Sequence, residues 1–243
     1  MKKILCLVSV IAFTFTSCSK DDNDSSDSTS SILVKKITTT DNNGHSSSES
    51  YVYNGNKIVS MTEDNGSVTK YTYTGDLITK IEEFDMNGTL NLTTDYNYIN
   101  GKLDNSIDKH PAESYYYKTK YTHNEDGTIS YDQFRGIPAT GAEEEYGATG
   151  KYTYKDGNVV KLEVSYYGAE YSYIYEYDTQ NNPFKNVLGY NLLLDSDNTS
   201  ANNITKQTST YEQVNTYKYN DNNFPIEKIT NFSTGNETVE YAY

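Results

Sequence analysis

The chain has 243 residues, of which 26 are tyrosine and none is tryptophan, and its formal net charge at pH 7 is −14. This acidity argues against a nucleic-acid partner, because phosphates are bound by surfaces rich in Lys and Arg. The length suits one or two domains, and all-β proteins of this size often form one. Both cysteines lie within the first 18 residues, so the rest of the chain offers no disulfide, thiol nucleophile or cysteine metal site.

The N-terminal segment has the pattern of a targeting peptide. Two lysines precede an apolar run over residues 4–15, which is too short to span a bilayer as a helix. Ser17-Cys18 then resembles the end of the lipobox of bacterial lipoproteins, in which cleavage before the cysteine exposes it for acylation. We expect residues 1–17 to be a signal peptide and Cys18 to carry lipid. The alternative is an ordinary secretory signal with an incidental cysteine.

Residues 18–31 are expected to form a lipidated, flexible tether, because they are rich in Ser and Asp and contain no hydrophobic residue after Lys20. Lys20, Asp21 and Asp22 follow the cysteine and resemble the surface-export signal of Bacteroidota-type lipoproteins. The resemblance implies an outer-membrane protein that is anchored through the lipid on Cys18 and faces the cell surface. A solvated acidic linker is the alternative.

Beyond residue 31 the chain repeats a unit of Tyr-x-Tyr, a turn with Gly, Asn or Asp, and an aliphatic strand. The first copy contains Tyr51, Tyr53, Gly55 and Ile58, and the first tyrosines of successive copies lie 20 to 42 residues apart. The pairs are Tyr51 and Tyr53, Tyr71 and Tyr73, Tyr96 and Tyr98, Tyr121 and His123, Tyr152 and Tyr154, Tyr175 and Tyr177, Tyr217 and Tyr219, and Tyr241 and Tyr243.

The repeat predicts an all-β antiparallel meander of about fifteen strands. Alternate residues of a strand share a face, so both tyrosines of a pair point one way and the residue between them points to solvent. An open sheet of this width would curl or close, so we expect residues 32–243 to form one domain, a curled sheet or barrel. Charged residues within strand-like segments, such as Lys70, Lys80 and Glu82, argue against a membrane-spanning barrel.

The Tyr-x-Tyr-x-x-Gly-x-Ile/Leu unit is similar to YD/Rhs-type repeats over about residues 48–243. Together with the lipobox, it resembles a group of Bacteroidota surface lipoproteins built of such units, and this resemblance implies a porin-like β fold. Only Tyr177-Asp178 keeps the Tyr-Asp pair itself. No Rhs self-cleavage signature or toxin segment is recognisable in the sequence, so the resemblance implies fold and location but no active site.

Apolar residues at helical spacing predict a short helix near 183–194, with Pro183 at its first position. We expect its apolar face to plug an open end or flank of the sheet, because apolar groups stabilise most when they are permanently covered. A mobile lid over a pocket is the alternative. The residues of that face are Phe184, Val187, Leu188 and Leu192.

Sequence motifs for catalysis or metal binding are lacking. None of the three histidines, at positions 45, 110 and 123, has a partner at i+3 or i+4. No G-x-S-x-G nucleophile elbow occurs. We therefore expect no catalytic residue, no metal and no cofactor.

Residues 131–150 interrupt the repeat and contain Arg135, the only arginine, and Tyr146. We treat these two residues as candidates for ligand binding at a barrel mouth. A long, solvated hairpin connection is the alternative.

Three functions remain open at the level of the sequence. The first is a non-enzymatic binding or adhesion module for an extracellular glycan, peptide or protein. The second is a structural envelope lipoprotein with no small ligand, and the third is a hydrolase whose residues meet only in space. A binding module predicts exposed tyrosines at a concave end, whereas a structural protein predicts a filled interior.

Overall fold

Sixteen antiparallel strands close into one barrel in the computed structural model, which describes residues 31–194, 199–232 and 235–243. Each strand pairs with the strands before and after it in sequence, and the last returns to pair with the first. The strands are β1 Lys36–Thr40, β2 Ser46–Asn54, β3 Lys57–Glu63, β4 Val68–Thr74, β5 Leu77–Phe84, β6 Leu90–Ile99, β7 Lys102–Lys109, β8 Tyr116–His123, β9 Ile129–Ile137, β10 Ala142–Lys155, β11 Asn158–Tyr166, β12 Ala169–Tyr177, β13 Ile204–Thr208, β14 Glu212–Tyr219, β15 Pro225–Phe232 and β16 Gly235–Ala242.

The predicted meander is confirmed, and the sheet is closed rather than open. The closing ladder runs from Lys36 opposite Ala242 to Thr40 opposite Thr238. The additional strand is β1, which precedes the first Tyr-x-Tyr pair and completes a hairpin unit with the final half-repeat on β16. Closure leaves no strand with an edge that is exposed along its whole length.

The tyrosine pairs face the barrel lumen, as the alternation predicts. Tyr51 and Tyr53 pack against the buried core, whereas Val52 between them is 55% exposed on the outer face. In five of the hairpins that follow a tyrosine pair, a β-bulge lies just after the turn. In the first of them Tyr53 lies opposite Ile58, but Val52 lies opposite Ser60. The residue at the start of the strand after the turn, such as Ile58, is thereby directed into the lumen and is fully buried.

A recurring hydrogen bond explains why the second residue of a pair is tyrosine rather than phenylalanine. In four pairs its hydroxyl donates to the backbone carbonyl of a residue near the start of a preceding hairpin unit, whereas Tyr73 and Tyr219 donate to Leu188 and Asp178. Buried backbone carbonyls need such partners. His123 occupies one of these positions and makes the same contact through Nε2. The bonds are Tyr53 to Val34 at 2.8 Å, Tyr98 to Ile78 at 2.9 Å, His123 to Leu103 at 2.9 Å, Tyr177 to Val159 at 2.7 Å and Tyr243 to Pro225 at 2.9 Å.

Replacing one of these hydroxyls should therefore cost stability. For Tyr98→Phe we expect the free energy of unfolding to fall by about 1–2 kcal/mol, because the carbonyl of the fully buried Ile78 loses its partner. Urea denaturation measures this loss. The control is Tyr171→Phe, at a ring that is 48% exposed, where a change below about 0.5 kcal/mol is expected. Equal losses in the two variants would contradict the interpretation.

One end of the barrel is closed by residues 178–203, here called the plug, whose positions 195–198 lie outside the described residues. Phe184, Val187 and Leu193 are buried in the core with Ile58 and Ile78. This is the role expected of a plug.

The predicted helix near 183–194 is wrong, because the described part of the plug contains only a short 3₁₀-helix at Tyr190–Leu192. The plug's backbone forms short-range turn bonds, such as Val187 to Phe184 at 2.9 Å, and it also bonds to the barrel's turns: the amide of Leu188 donates to the carbonyl of Asn56 at 2.9 Å. Gly189 has a left-handed φ of 72° and lies so close to Asp76 that an added Cβ would be 2.7 Å from its carbonyl oxygen. The buried set also differs from the predicted helical face, since Leu188 is 38% exposed.

The outer face of the barrel is polar and rich in ion pairs. The two phenylalanines Phe134 and Phe84 are each covered by an ammonium group, from Lys120 at 4.2 Å and Lys70 at 4.5 Å from the ring centroid. Solvent-exposed ion pairs, such as those on this face, add little stability individually. The ion pairs of this face include Lys80 with Asp95, Lys109 with Asp95, Lys151 with Glu163, Lys161 with Glu163, Lys206 with Glu212 and Lys218 with Glu227.

Among the residues described, no helix has the length and apolar character needed to cross a bilayer.

Candidate functional site: the open rim

The end of the barrel opposite the plug, here called the open rim, is formed by the connections that follow the odd-numbered strands. Tyr166 and Tyr171 lie on the same side of β11 and β12 as Leu162, which packs against the core, so both face the lumen. They are nevertheless 45% and 48% exposed. The lumen is therefore accessible to solvent at this end, in contrast to the buried end beneath the plug.

The two candidate residues, Arg135 and Tyr146, meet at the open rim. Arg135 lies beside Tyr117 on β8 and beside Glu144 on β10 in the strand register. Its guanidinium carbon is 5.5 Å from the ring centroid of Tyr146 and 5.6 Å from that of Tyr115. We call Arg135, Glu144 and these three tyrosines the rim cluster.

Hydrogen bonds and ring contacts hold the rim cluster together. Arg135 donates to Oε1 of Glu144 from Nε at 2.9 Å and also from Nη2. The ring of Tyr117 is 5.4 Å from that of Tyr115 and 5.2 Å from that of Tyr146. The hydrogen bond to Glu144 raises the pKa of Arg135, and hydrogen bonding to Tyr117 raises the pKa of Tyr146. The rim cluster is thus a group of three tyrosine rings around Arg135, whose positive charge is balanced by Glu144.

A further aromatic side chain projects from the hairpin between β11 and β12. Tyr167 is 73% exposed and has a φ of 47°, while Gly168 after it has a φ of 81°. Left-handed backbone is costly for a bulky residue and is usually taken by Gly or Asn. An exposed tyrosine at such a position points to a role outside the fold. The repeat pattern did not reveal Tyr167, although the Tyr-Gly turn was visible in the sequence.

Carboxylates line the lumen below the rim. Glu49 lies opposite Glu63 on the lumen face, and Glu83 and Asp108 follow on β5 and β7, each separated from the previous carboxylate by one strand. Burial raises the pKa of Asp108, and burial together with the negative charge of Asp108 raises the pKa of Glu83. The sequence signal for this lining was the placement of Glu49 two residues before Tyr51, on the same strand face. The lining disfavours entry of anionic molecules.

The three histidines do not come together. His45 contacts Asp41 at 3.2 Å, and His110 and His123 each contact a backbone carbonyl, of Asn91 at 3.2 Å and of Leu103 at 2.9 Å. No cluster of three or more His, Cys, Asp or Glu side chains with the arrangement of a metal site occurs within the described part of the chain.

The N-terminal assignments fall outside the described residues. They comprise the signal peptide at 1–17, the lipidated Cys18, and the export residues Lys20, Asp21 and Asp22. The described chain starts at the plugged end, where the side-chain amide of Asn56 donates to Ser31 at 2.8 Å.

Comparison with known proteins concerns the fold alone. The sequence matches no protein-family model and no curated protein. The structure is similar to that of a porin-like protein from Bacteroides uniformis, with a TM-score of 0.52 and 12% sequence identity over 87% of this chain and 96% of that chain. This likeness agrees with the porin-like β fold implied by the sequence resemblance, and the chain has the architecture of a porin-like β-barrel.

Proposed function

We propose that the protein is an outer-membrane lipoprotein, displayed at the cell surface, whose open rim binds an extracellular glycan, peptide or protein. The lipobox ending at Cys18 and the export signal at Lys20, Asp21 and Asp22 support the anchor and its orientation. The similarity of the repeats to YD/Rhs-type units supports the same placement.

The outer face of the barrel supports an anchor by lipid rather than insertion of the barrel itself. Membrane-spanning barrels turn an apolar band toward lipid, and a Lys on that face costs about 2–4 kcal/mol at the bilayer midplane. Here Lys151 and Lys161 converge on Glu163 in the middle of β11, at 3.5 and 2.7 Å. Such ion pairs suit an aqueous surface.

The observation that carries the binding function is the exposure of tyrosines at the rim, above all the strained Tyr167. Tyrosine rings supply rigid, amphipathic contact area at a low cost in conformational entropy. Tyr167, Tyr171 and Tyr211 are 73%, 48% and 84% exposed, whereas the repeat tyrosines below them pack in the core. We infer a binding role without catalysis, in which the rim cluster and Tyr167 contact the ligand.

The test is binding of the full chain to an immobilised glycan array and to a random-peptide library, with Tyr167→Asn as the variant. Asn tolerates left-handed backbone, so we expect thermal stability to be unchanged or higher by about 1 kcal/mol. Removal of the ring should weaken binding by about tenfold or more, which corresponds to about 1.4 kcal/mol.

The matched control is Ile174→Ser, which removes a 50% exposed apolar group from the outer face of β12. Binding should be unaffected in this variant. Equal binding by Tyr167→Asn and the parent chain would overturn the assignment of the rim. An absence of binding to both libraries would favour the structural envelope lipoprotein.

A further inference from the structure

The hairpin of β11 and β12 extends beyond its neighbour at the open rim and leaves one side of β12 unpaired. The ladder between β12 and β13 ends where Ile174 lies opposite Thr208, because β13 turns back into β14 at this level. Residues 169–173 of β12 therefore pair with β11 alone. Four of these five residues are exposed. They form a free sheet edge, here called the β12 edge.

The turn between β11 and β12 fixes which backbone groups of the β12 edge point away from β11. It has two residues, 167–168, with φ of 47° and 81°, and in such hairpins the flanking residues exchange both backbone hydrogen bonds. The flanking pair is Tyr166 and Ala169. Hydrogen-bonded pairs alternate along an antiparallel ladder, so the N–H and C=O groups of Glu170 and Ser172 point outward.

The β12 edge lacks the features with which proteins usually protect an exposed strand. Such features include Pro, edge Lys residues, inward-pointing charges and β-bulges. Residues 169–173 have the sequence Ala-Glu-Tyr-Ser-Tyr, and their pairing with β11 shows no shift of register. The edge is thus a regular surface for the addition of one strand, which is a common way in which proteins recognise extended peptides.

Three exposed tyrosines surround the β12 edge. Tyr167 lies in the turn at one end of it and is largely exposed, and Tyr171 is half-exposed on its lumen side. Tyr211 is largely exposed in the connection between β13 and β14, which begins beside Ile174 at the other end of the edge. Side chains of an added strand would therefore contact aromatic rings.

The outer face of β12 to β14 carries excess negative charge beside the edge. Glu170 makes no ion pair within the described part of the chain. Glu176 and Glu212 share one cation, Lys206, at 3.9 and 2.7 Å. Because the whole chain has a formal net charge of −14, a second copy would be repelled, whereas a segment with Lys or Arg on its outward side would be attracted.

We propose that the β12 edge binds an extended, basic segment of a partner protein as an added strand. This inference rests on the proposed function of the open rim and names the class of its ligand, a peptide rather than a glycan. The backbone of the segment bonds to Glu170 and Ser172, and its Lys or Arg side chains lie beside the carboxylate of Glu170. The alternate, apolar side chains contact Tyr171 and Tyr173 on the lumen side.

The test is a screen of the full chain against random hexapeptides, followed by titration of the tightest peptide. We expect this peptide to alternate Lys or Arg with apolar residues. Ser172→Pro removes an outward N–H, and Pro is tolerated at such positions of edge strands, so binding should weaken by about tenfold or more. Ser172→Ala is the matched control, since it keeps the N–H and should bind like the parent chain. Glu170→Gln should weaken binding by up to about fivefold.

Chemical modification of the peptide gives a second test, which does not depend on the folding of a variant. The selected hexapeptide is synthesised with N-methyl groups on either its odd or its even residues. Alternate amides of a strand point to opposite sides, so only one of the two forms should lose binding. Equal effects of the two modifications would overturn the proposal. So would unchanged binding by Ser172→Pro whose melting temperature shows it to be folded, or a tightest peptide without Lys or Arg.

The remaining outcomes separate a failure of this inference from a failure of the proposed function. Binding of a neutral glycan without binding of any hexapeptide would overturn the peptide ligand and leave the rim as a binding site. A dimer of the chain that Ser172→Pro abolishes, with no peptide bound, would make a second copy the occupant and overturn the proposal. An absence of binding to glycans and peptides alike would overturn both.

Discussion

Raising the pH above about 10 is expected to unfold the barrel, because its tyrosines are neutral and buried in the folded state. Burial raises the pKa of Tyr73 and of Tyr154 to about 12. The unfolded chain releases these protons near the ordinary value of about 10. Burial also raises the pKa of further tyrosines, among them Tyr51, Tyr53, Tyr71, Tyr131, Tyr177, Tyr217, Tyr219, Tyr241 and Tyr243.

The direction follows from proton linkage. Above pH 10 the folded state holds more protons than the unfolded state, so the stability contributed by the raised pKa values is complete below that pH. This stability is lost as the pH rises toward the pKa values that the tyrosines have in the folded state. Above pH 10, each buried tyrosine that titrates only after unfolding lowers the free energy of unfolding by up to about 1.4 kcal/mol per pH unit. The half-exposed rings lower it by less, because solvent screens them.

Urea denaturation followed by circular dichroism between about pH 8 and about pH 12 measures the effect. The near-ultraviolet absorbance of tyrosinate, recorded in parallel, should rise together with unfolding for the buried rings. As a control, an equal rise in salt concentration at pH 8 should leave the fold intact. Full formation of tyrosinate by a barrel that retains its circular dichroism spectrum would refute the expectation.

Removing the central ring of the plug should be the most damaging single substitution. For Phe184→Ala we expect a loss of about 3–5 kcal/mol in the free energy of unfolding. Phe184 is 4% exposed, stacks on Tyr190 with ring centroids 4.6 Å apart, and meets the edge of Tyr51 at 5.4 Å. The substitution would therefore leave a cavity between the plug and the barrel wall.

Equilibrium denaturation in urea gives the loss directly. Leu188→Ala is the matched control, because Leu188 belongs to the same plug and is 38% exposed; we expect a loss below about 1 kcal/mol there. If Phe184→Ala cost no more than the control, the plug would not be part of the cooperative core.

The rim shows where inference from the sequence was limited. The unusual composition of 131–150 drew attention to Arg135 and Tyr146, but nothing in their spacing placed Tyr115 on the other side of the guanidinium. That contact depends on the register of β8 against β9, where Tyr117 lies opposite Arg135. Tyr167 was missed because the repeat made every tyrosine look alike, and only its exposure and its φ distinguish it.

The sequence by itself determined the local structure of this protein. Alternating residues put Tyr71 and Tyr73 on one face, and residues that accept positive φ, such as Gly75 at 58° and Asn223 at 64°, placed the turns. These features act over a few residues, so hairpin after hairpin could be inferred from the sequence. The tertiary structure decided which residues meet at long range. Closure requires β1 to pair with β16, and part of the plug's backbone bonds to turns of the barrel that lie far away in sequence, at Asn56, Gly157 and Asn223.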